Sequence, residues 1–219
     1  MKQYIPILKK TSLFVGIFDE EIEAMLSCLQ AKIHTYKKGE YIYRQGEHIE
    51  NISILLEGKL CIQNDDYWGN CSIINVLNVG EMFGEAYVTL DSDAIANDVV
   101  ATTDSTVIFL NVNKILTVCS SACRFHTMLI KNLFYAISMK NRALVQRIGH
   151  LSRRSTREKL LSYLSDEARR NNSASFEIPF NRQQLADFLF VDRSAMSNEL
   201  CKMRDEGLLM FEKNRFKLL

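Results

Sequence analysis

Glycine is spread so unevenly along the 219 residues that it divides the chain before any motif is read. Six of the nine glycines fall between 39 and 84, about ten residues apart: Gly39, Gly46, Gly58, Gly69, Gly80 and Gly84. Glycine supplies the left-handed backbone that tight turns need. Between these glycines, and just after them, lie β-branched and aromatic runs: EYIYRQ, ISILLE, KLCIQ, CSIINVL, DVVATT and STVIFLNV. Short strands with turn signals at that spacing predict an all-β barrel or sandwich. Ahead of them, DEEIEAMLSCLQA (residues 19–31) predicts a short helix with Asp19 as its cap. Ile22, Met25, Leu26 and Leu29 form its buried face.

After Asn113 only Gly149 and Gly207 remain. From about 122 to 148, Phe125, Leu129 (or Met128), Asn132, Ala136, Met139, Ala143 and Gln146 trace a stripe near heptad spacing. About 25 helical residues span nearly 40 Å, long enough to need a partner along the whole length. The stripe predicts pairing with a twin helix in a dimer, with packing on the chain's own barrel as the alternative. Gly149 and the cationic LSRRSTR predict a hinge. Then come a helix capped by Ser155 or Thr156, a strand SFEIPF, two short helices, and a hairpin turning at Lys213–Asn214. The expected domain boundaries are 1–112, 113–150 and 151–219.

Net charge is near zero, but its distribution is not even. Residues 1–140 hold 12 Lys+Arg against 16 Asp+Glu, and residues 141–219 hold 15 against 10. An anionic partner is therefore expected at the C-terminal third. TSLFVGIF runs directly into DEEIE, unlike a secretory signal, and no window approaches the roughly 18 apolar residues of a membrane span. A cytoplasmic protein without membrane association is expected. The six scattered cysteines lack CxxC spacing and read as reduced thiols. No Ser-His-Asp, HExxH or phosphate-loop pattern marks an enzyme.

The segment NRQQLADFLFVDRSAMSNEL predicts two helices joined by a tight turn. Asn181 and Gln184 form a capping box for the first, and Asp192 caps the second. Leu185, Leu189, Met196 and Leu200 close the angle between them. Opposite that apolar side stand Arg193, Ser194, Ser197, Asn198 and Lys202. Short hydrogen-bonding side chains can approach base edges in a major groove, where Arg193 can also fork onto guanine or clamp a phosphate. Lys202 is suited to a phosphate. Arg182 and Gln183 start the preceding helix, where free N–H groups and the dipole favour phosphate. Lys213, Arg215 and Lys217 can add backbone contacts from the hairpin. A helix-turn-helix followed by such a hairpin is a winged helix.

With these residues in view, the chain resembles the Crp–Fnr superfamily of transcriptional regulators over nearly its whole length. FDEEIEAMLSCLQAKIHTYKKGEYIYRQGEHIENISILLEGKL resembles the start of its cyclic-nucleotide-binding-type barrel. GEMFGEAYV resembles its phosphate-cassette turn, and NRQQLADFLFVDRSAMSNELCKMRDEGLL its helix-turn-helix. The resemblance implies an α+β chain with an N-terminal β-roll (a cyclic-nucleotide-binding-like jelly roll), a long dimerisation helix and a C-terminal winged helix-turn-helix. It also implies a homodimer on double-stranded DNA, with RNA polymerase a candidate further partner. The family's base-reading positions fall on Arg193, Ser194, Ser197 and Asn198. The last is often Arg in the family, and Asn there shifts the expected preference from guanine toward adenine. Phe190 stands in the turn where the family often has Gly or Asn.

The sensor pocket departs further. Gly84 and Glu85 match the family pair whose carboxylate holds a ribose hydroxyl. The Arg-Ser that should grip a cyclic phosphate falls at Ile95–Ala96, and the base-touching hydroxyls fall near Leu144–Val145. Residues 61–113 hold eight carboxylates and no Lys, Arg or His. Burying a phosphate there without a cation is costly, so a cyclic nucleotide is not the expected effector. No cofactor or metal is expected. Only Cys28 lies in the first 60 residues, which does not suit an iron–sulfur cluster, and His34, His48, His126 and His150 stand alone. Cys119, Cys123 and His126, at i, i+4 and i+7, could share a helical face as a zinc or thiol site, but with no evident fourth ligand they read as packed small residues. The rival expectation is a cyclic-nucleotide-binding-like interaction module without DNA binding.

Overall fold

A computed structural model describes residues 1–65, 71–88, 94–117 and 124–219. The elements run α1 (Ile5–Leu8), α2 (Asp19–Cys28), β1 (Lys32–Tyr36), β2 (Tyr41–Tyr43), β3 (Asn51–Glu57), β4 (Leu60–Asp65), β5 (Cys71–Leu77), β6 (Met82–Phe83), β7 (Asp98–Ala101), β8 (Ser105–Asn111), α3 (Val112–Leu116) and α4 (Arg124–Leu151). They continue α5 (Thr156–Asn171), β9 (Ser175–Glu177), α6 (Arg182–Leu189), α7 (Arg193–Asp205), β10 (Leu209–Glu212) and β11 (Arg215–Leu218). The chain divides into two compact units, Met1–Ser138 and Met139–Leu219.

The first unit is a sandwich of two antiparallel sheets, ordered β1-β8-β3-β6 and β2-β7-β4-β5. The apolar runs of β3 and β8 are buried on both faces. Alternation fails there because one core takes in both sheets, the N-terminal helices and the start of α4. Ser53, fully buried on β3, meets the Tyr43 hydroxyl at 2.7 Å, so neither polar atom is left dry and unbonded. Burial pushes that phenol up to about 12. Gly58 turns β3 into β4 with φ +88°, and a Cβ there would lie 2.3 Å from Ser105 Oγ and 2.4 Å from the Asp104 carbonyl.

α2 buries the expected face, Ile22, Met25, Leu26 and Leu29. Its N-cap is Phe18 and not Asp19. Glu21 accepts from the Phe18 amide at 3.0 Å, while Asp19 is the first helical residue and pairs with Lys9. The predicted stripe on α4 also needs correction. In its first half, Leu129 and Ala136 are buried and belong to the sandwich core, together with Leu133. Asn132 donates to the carbonyls of Leu13 and Val15 at 3.0 and 2.8 Å. That half serves the chain's own fold. A different row stands exposed on α4: Phe134 (74%), Ile137, Leu144 and Ile148. Their spacing of 3, 7 and 4 leaves Asn141 at the intervening heptad position. α4 runs unbroken through Gly149 to Leu151.

In the second unit Ser155 caps α5, with Glu158 completing the box. The wing is three-stranded, in the order β10-β11-β9. Leu160, Tyr163, Leu164, Phe176, Leu185, Leu189, Met196, Leu200, Met203, Leu209 and Phe216 form a core of their own.

Candidate functional site

α6 and α7 are set by local chemistry. Asn181 Oδ1 accepts from the Gln184 amide at 3.0 Å, and Gln184 returns the bond to the Asn181 amide at 2.9 Å. Asp192 accepts from the Ala195 amide at 2.7 Å. Leu185, Leu189, Met196, Leu200 and Met203 are fully buried, so the inner side of the helix pair is closed. With that side fixed, 3.6-residue periodicity turns the other side outward. Arg193, Ser194, Asn198 and Lys202 are exposed and Ser197 is half-buried. The two features that define a base-reading surface, short polar groups and open access, therefore coincide on α7.

The neighbouring cations are not equally free. Arg182 is half-buried, its guanidinium 4.7 Å from the Phe211 ring centre and 5.2 Å from Phe216. Burial pulls its pKa below the ordinary guanidinium value. It packs α6 onto the wing and, with Asn181, Gln183, Arg193 and Lys213, lines a cleft of about 740 Å³. Gln183 donates to Asp187 at 2.8 Å, one turn along its own helix. Arg215 lies 3.5 Å from Glu177, whereas Lys213 and Lys217 are exposed on the wing. Lys213 is the turn residue with φ +52°.

Three residues that the sequence pattern did not single out hold this surface in place. Arg157 on α5 makes a two-toothed pair with Glu206 at 2.7 and 2.8 Å and bonds Glu199 as well, tying α5 to the middle and the C-cap of α7. The Arg157 guanidinium holds the Glu206 carboxyl below its usual range. Lys159 donates to the carbonyls of Leu189 and Phe190 at 3.1 and 3.3 Å, closing the turn between α6 and α7. Arg147, near the end of α4, places its guanidinium over the rings of Phe188 and Phe190. None of these contacts has a sequence period. The partners are 30 to 50 residues apart and meet only after folding.

In the sensor unit, Gly84 (φ +85°) packs against Ile49, and Glu85 is half-buried in the following turn. Ile95, 3% exposed, belongs to the hydrophobic core, and Ala96 is exposed. Leu144 and Val145 are 58% and 61% exposed on α4. His126 is buried with Nε2 2.8 Å from the Ile115 carbonyl, while Cys119 and Cys123 lie outside the described residues. Among the described residues no three metal-ligating side chains gather. No described helix is long and apolar enough to cross a membrane.

Residues 33–122 match the family profile described as the cyclic nucleotide-binding domain, and residues 158–219 match the Crp-like helix-turn-helix domain. The two occur in this order with a long helix between them. The chain belongs to the Crp–Fnr superfamily. Its fold matches solved Crp–Fnr structures. The Thermus thermophilus Catabolite Activator Protein is 22% identical, with TM-score 0.55, over 95% of this chain and 94% of that one. CprK complexed with OCPA is 15% identical, with TM-score 0.64, over 90% and 91%. DNR from Pseudomonas aeruginosa is 19% identical, with TM-score 0.51, over 100% and 95%. Among curated proteins, cGMP-dependent protein kinase 2 of Homo sapiens is 31% identical, and that of Mus musculus 30%, each over 97 residues. That stretch is 44% of this chain, and the chain spans only 12% of the length of those relatives. The chain thus carries the DNA-binding domain of a Crp–Fnr transcription regulator.

Proposed function

We propose that the chain acts as a homodimer on a pseudo-palindromic operator, in the cytoplasm, under control of an effector other than a cyclic nucleotide. The observation that carries the DNA reading is the division of α7, with Met196, Leu200 and Met203 fully buried and Arg193, Ser194 and Asn198 exposed. In this reading Arg193, Ser194, Ser197 and Asn198 enter the major groove. Lys202, Gln183 and the cleft edge of Arg182 meet phosphates. The exposed row Phe134, Ile137, Leu144 and Ile148 supports pairing with a second copy, since it repeats at heptad spacing along one helix. Twofold symmetry then sets half-sites about 34 Å apart. Contact with RNA polymerase, where the regulator activates, is a further part of the proposal.

The effector reading rests on Ile95. An apolar side chain packed in the core stands where the family places its phosphate-gripping Arg, and no cation occurs between 61 and 113. The Gly84–Glu85 pair and the likeness to a cGMP-dependent kinase pull toward a nucleotide. They do not offset a phosphate monoanion held without a counter-charge. Selection of duplexes from a randomised pool, with sedimentation of the free protein and its complex, tests the first part. A twofold-symmetric consensus bound two copies to one duplex is expected, and a protein that enriches no sequence or stays monomeric overturns it. Calorimetric titration with cyclic AMP and cyclic GMP tests the second. Absence of micromolar binding is expected, and a micromolar Kd for either refutes it.

A further inference from the structure

Phe190 is placed against two rules at once. It sits in the left-handed region, φ +51° and ψ 58°, which strains a residue with a bulky side chain. Its ring is also 68% exposed, so core burial does not repay the strain. Glycine would satisfy the backbone at no such cost. What the ring does have is a cation. Arg147, from the penultimate turn of α4, holds its guanidinium 5.4 Å from the Phe190 ring centre and 5.2 Å from that of Phe188. Both lie within the roughly 6 Å over which a ring face attracts a cation. The Arg147 Nε is buried with no hydrogen-bond partner among the described residues, and the guanidinium faces the two rings. Lys159 bonds the carbonyls of Leu189 and Phe190 from the side of α5, while Gln146 and His150, flanking Arg147, bond Arg170 and Ser162 of α5.

We infer that Arg147 and Phe190 form a cation–π latch that fixes the α6–α7 turn to the end of α4, making Arg147 a positioning residue for the recognition helix. The strained phenylalanine gives the guanidinium a second ring beside Phe188, and a glycine at 190 would remove the one ring that belongs to the turn. Displacement of the last turns of α4 then carries the turn, and α7 with it. This deepens the DNA-binding proposal and rests on it for its functional consequence, but the latch itself can be read without DNA.

The first readout is amide exchange in the free protein. The amides of Phe190 and Val191 bond the carbonyls of Asp187 and Ala186, so they report whether the turn is held. Arg147→Gln is expected to speed their exchange on the order of threefold to tenfold, and Arg147→Lys to restore part of the protection. Phe190→Leu keeps bulk and strain but lacks the ring face, and should speed exchange in the same direction as Arg147→Gln and by no more, since Arg147 still meets Phe188. Phe190→Gly relieves the strain, so its thermal midpoint should not fall. The second readout is affinity for the duplex that the wild-type protein selects from a randomised pool. Arg147→Gln and Phe190→Gly should each weaken it by a similar factor, and the double variant should be no weaker than the weaker single. Unchanged exchange in Arg147→Gln, or losses that multiply in the double variant, overturns the latch. So does a loss confined to the Phe190 variants, which would assign the ring a direct DNA contact. If the wild-type protein selects no duplex, the DNA-binding proposal fails while the exchange measurement still decides the latch.

Discussion

In the first unit the buried polar side chains bond within the fold. Tyr43 and Ser53 bond each other inside the sandwich, and Asn132 donates both its hydrogens to main-chain carbonyls. In the second unit the charged and amide groups divide into two sets. One set is tied down, as with Arg157 on Glu199 and Glu206, Lys159 on the turn, and Arg147 and Arg182 on aromatic rings. The other set, Arg193, Ser194, Asn198 and Lys202, is exposed. The difference teaches that a recognition surface is recognised by polar groups left open beside polar groups that are held. The bound cations stiffen the frame, and the open ones remain available to a ligand. The charge partition agrees with this, because the excess of cations lies beyond residue 140.

The comparison breaks most easily through Gly58. A Cβ at φ +88° would collide with Ser105 and the Asp104 carbonyl, so Gly58→Ala should destabilise the first unit by about 2–4 kcal/mol. Urea unfolding would measure it. Affinity for a selected duplex should hold below the transition, and a parallel fall would show that the two units do not divide their tasks. Next in size, Arg193→Ala should cost about 1–3 kcal/mol in binding, and Asn198→Arg should move the preferred base from adenine toward guanine. Competition between duplexes differing at that base would show it, and an unchanged preference sinks the assignment. Smaller again, Lys202→Ala should weaken binding evenly across sequences and reduce the salt slope by about 1. Titrations at several salt concentrations distinguish this from base reading.

The smallest effect belongs to His150, which is buried between Ser162 at 2.9 Å and Asp166 at 3.5 Å. Burial lowers its pKa below the ordinary 6.5, opposed by Asp166 and Glu167 and reinforced by Arg170 and Arg153. On acidification the unfolded chain protonates this histidine first. Its contribution to stability is therefore whole above about pH 6.5 and is lost as the pH falls through the lower folded value. His150→Gln should flatten that part of the stability-against-pH curve. A wild-type curve that rises on acidification contradicts the burial reading.

Much of this was legible in the chain itself because it depends on local chemistry. Glycine spacing and β-branched runs marked the strands, and side-chain caps at Asn181, Asp192 and Ser155 marked where helices start. The 3.6-residue period sorted Met196, Leu200 and Met203 from the polar face of α7. Where two solutions were locally equivalent, the sequence could not choose. Asp19 is as good a cap by composition as the Phe18 amide with Glu21 is by geometry. α4 carries two apolar rows, and only the presence of the sandwich shows that Leu129, Leu133 and Ala136 belong to it, leaving Phe134, Ile137, Leu144 and Ile148 exposed. The grip of Arg157 on Glu199 and Glu206, and of Arg147 on Phe190, was decided by tertiary structure alone. Such contacts join residues some 40 positions apart, have no period to betray them, and gain their energy only after the cores on either side have brought the helices together.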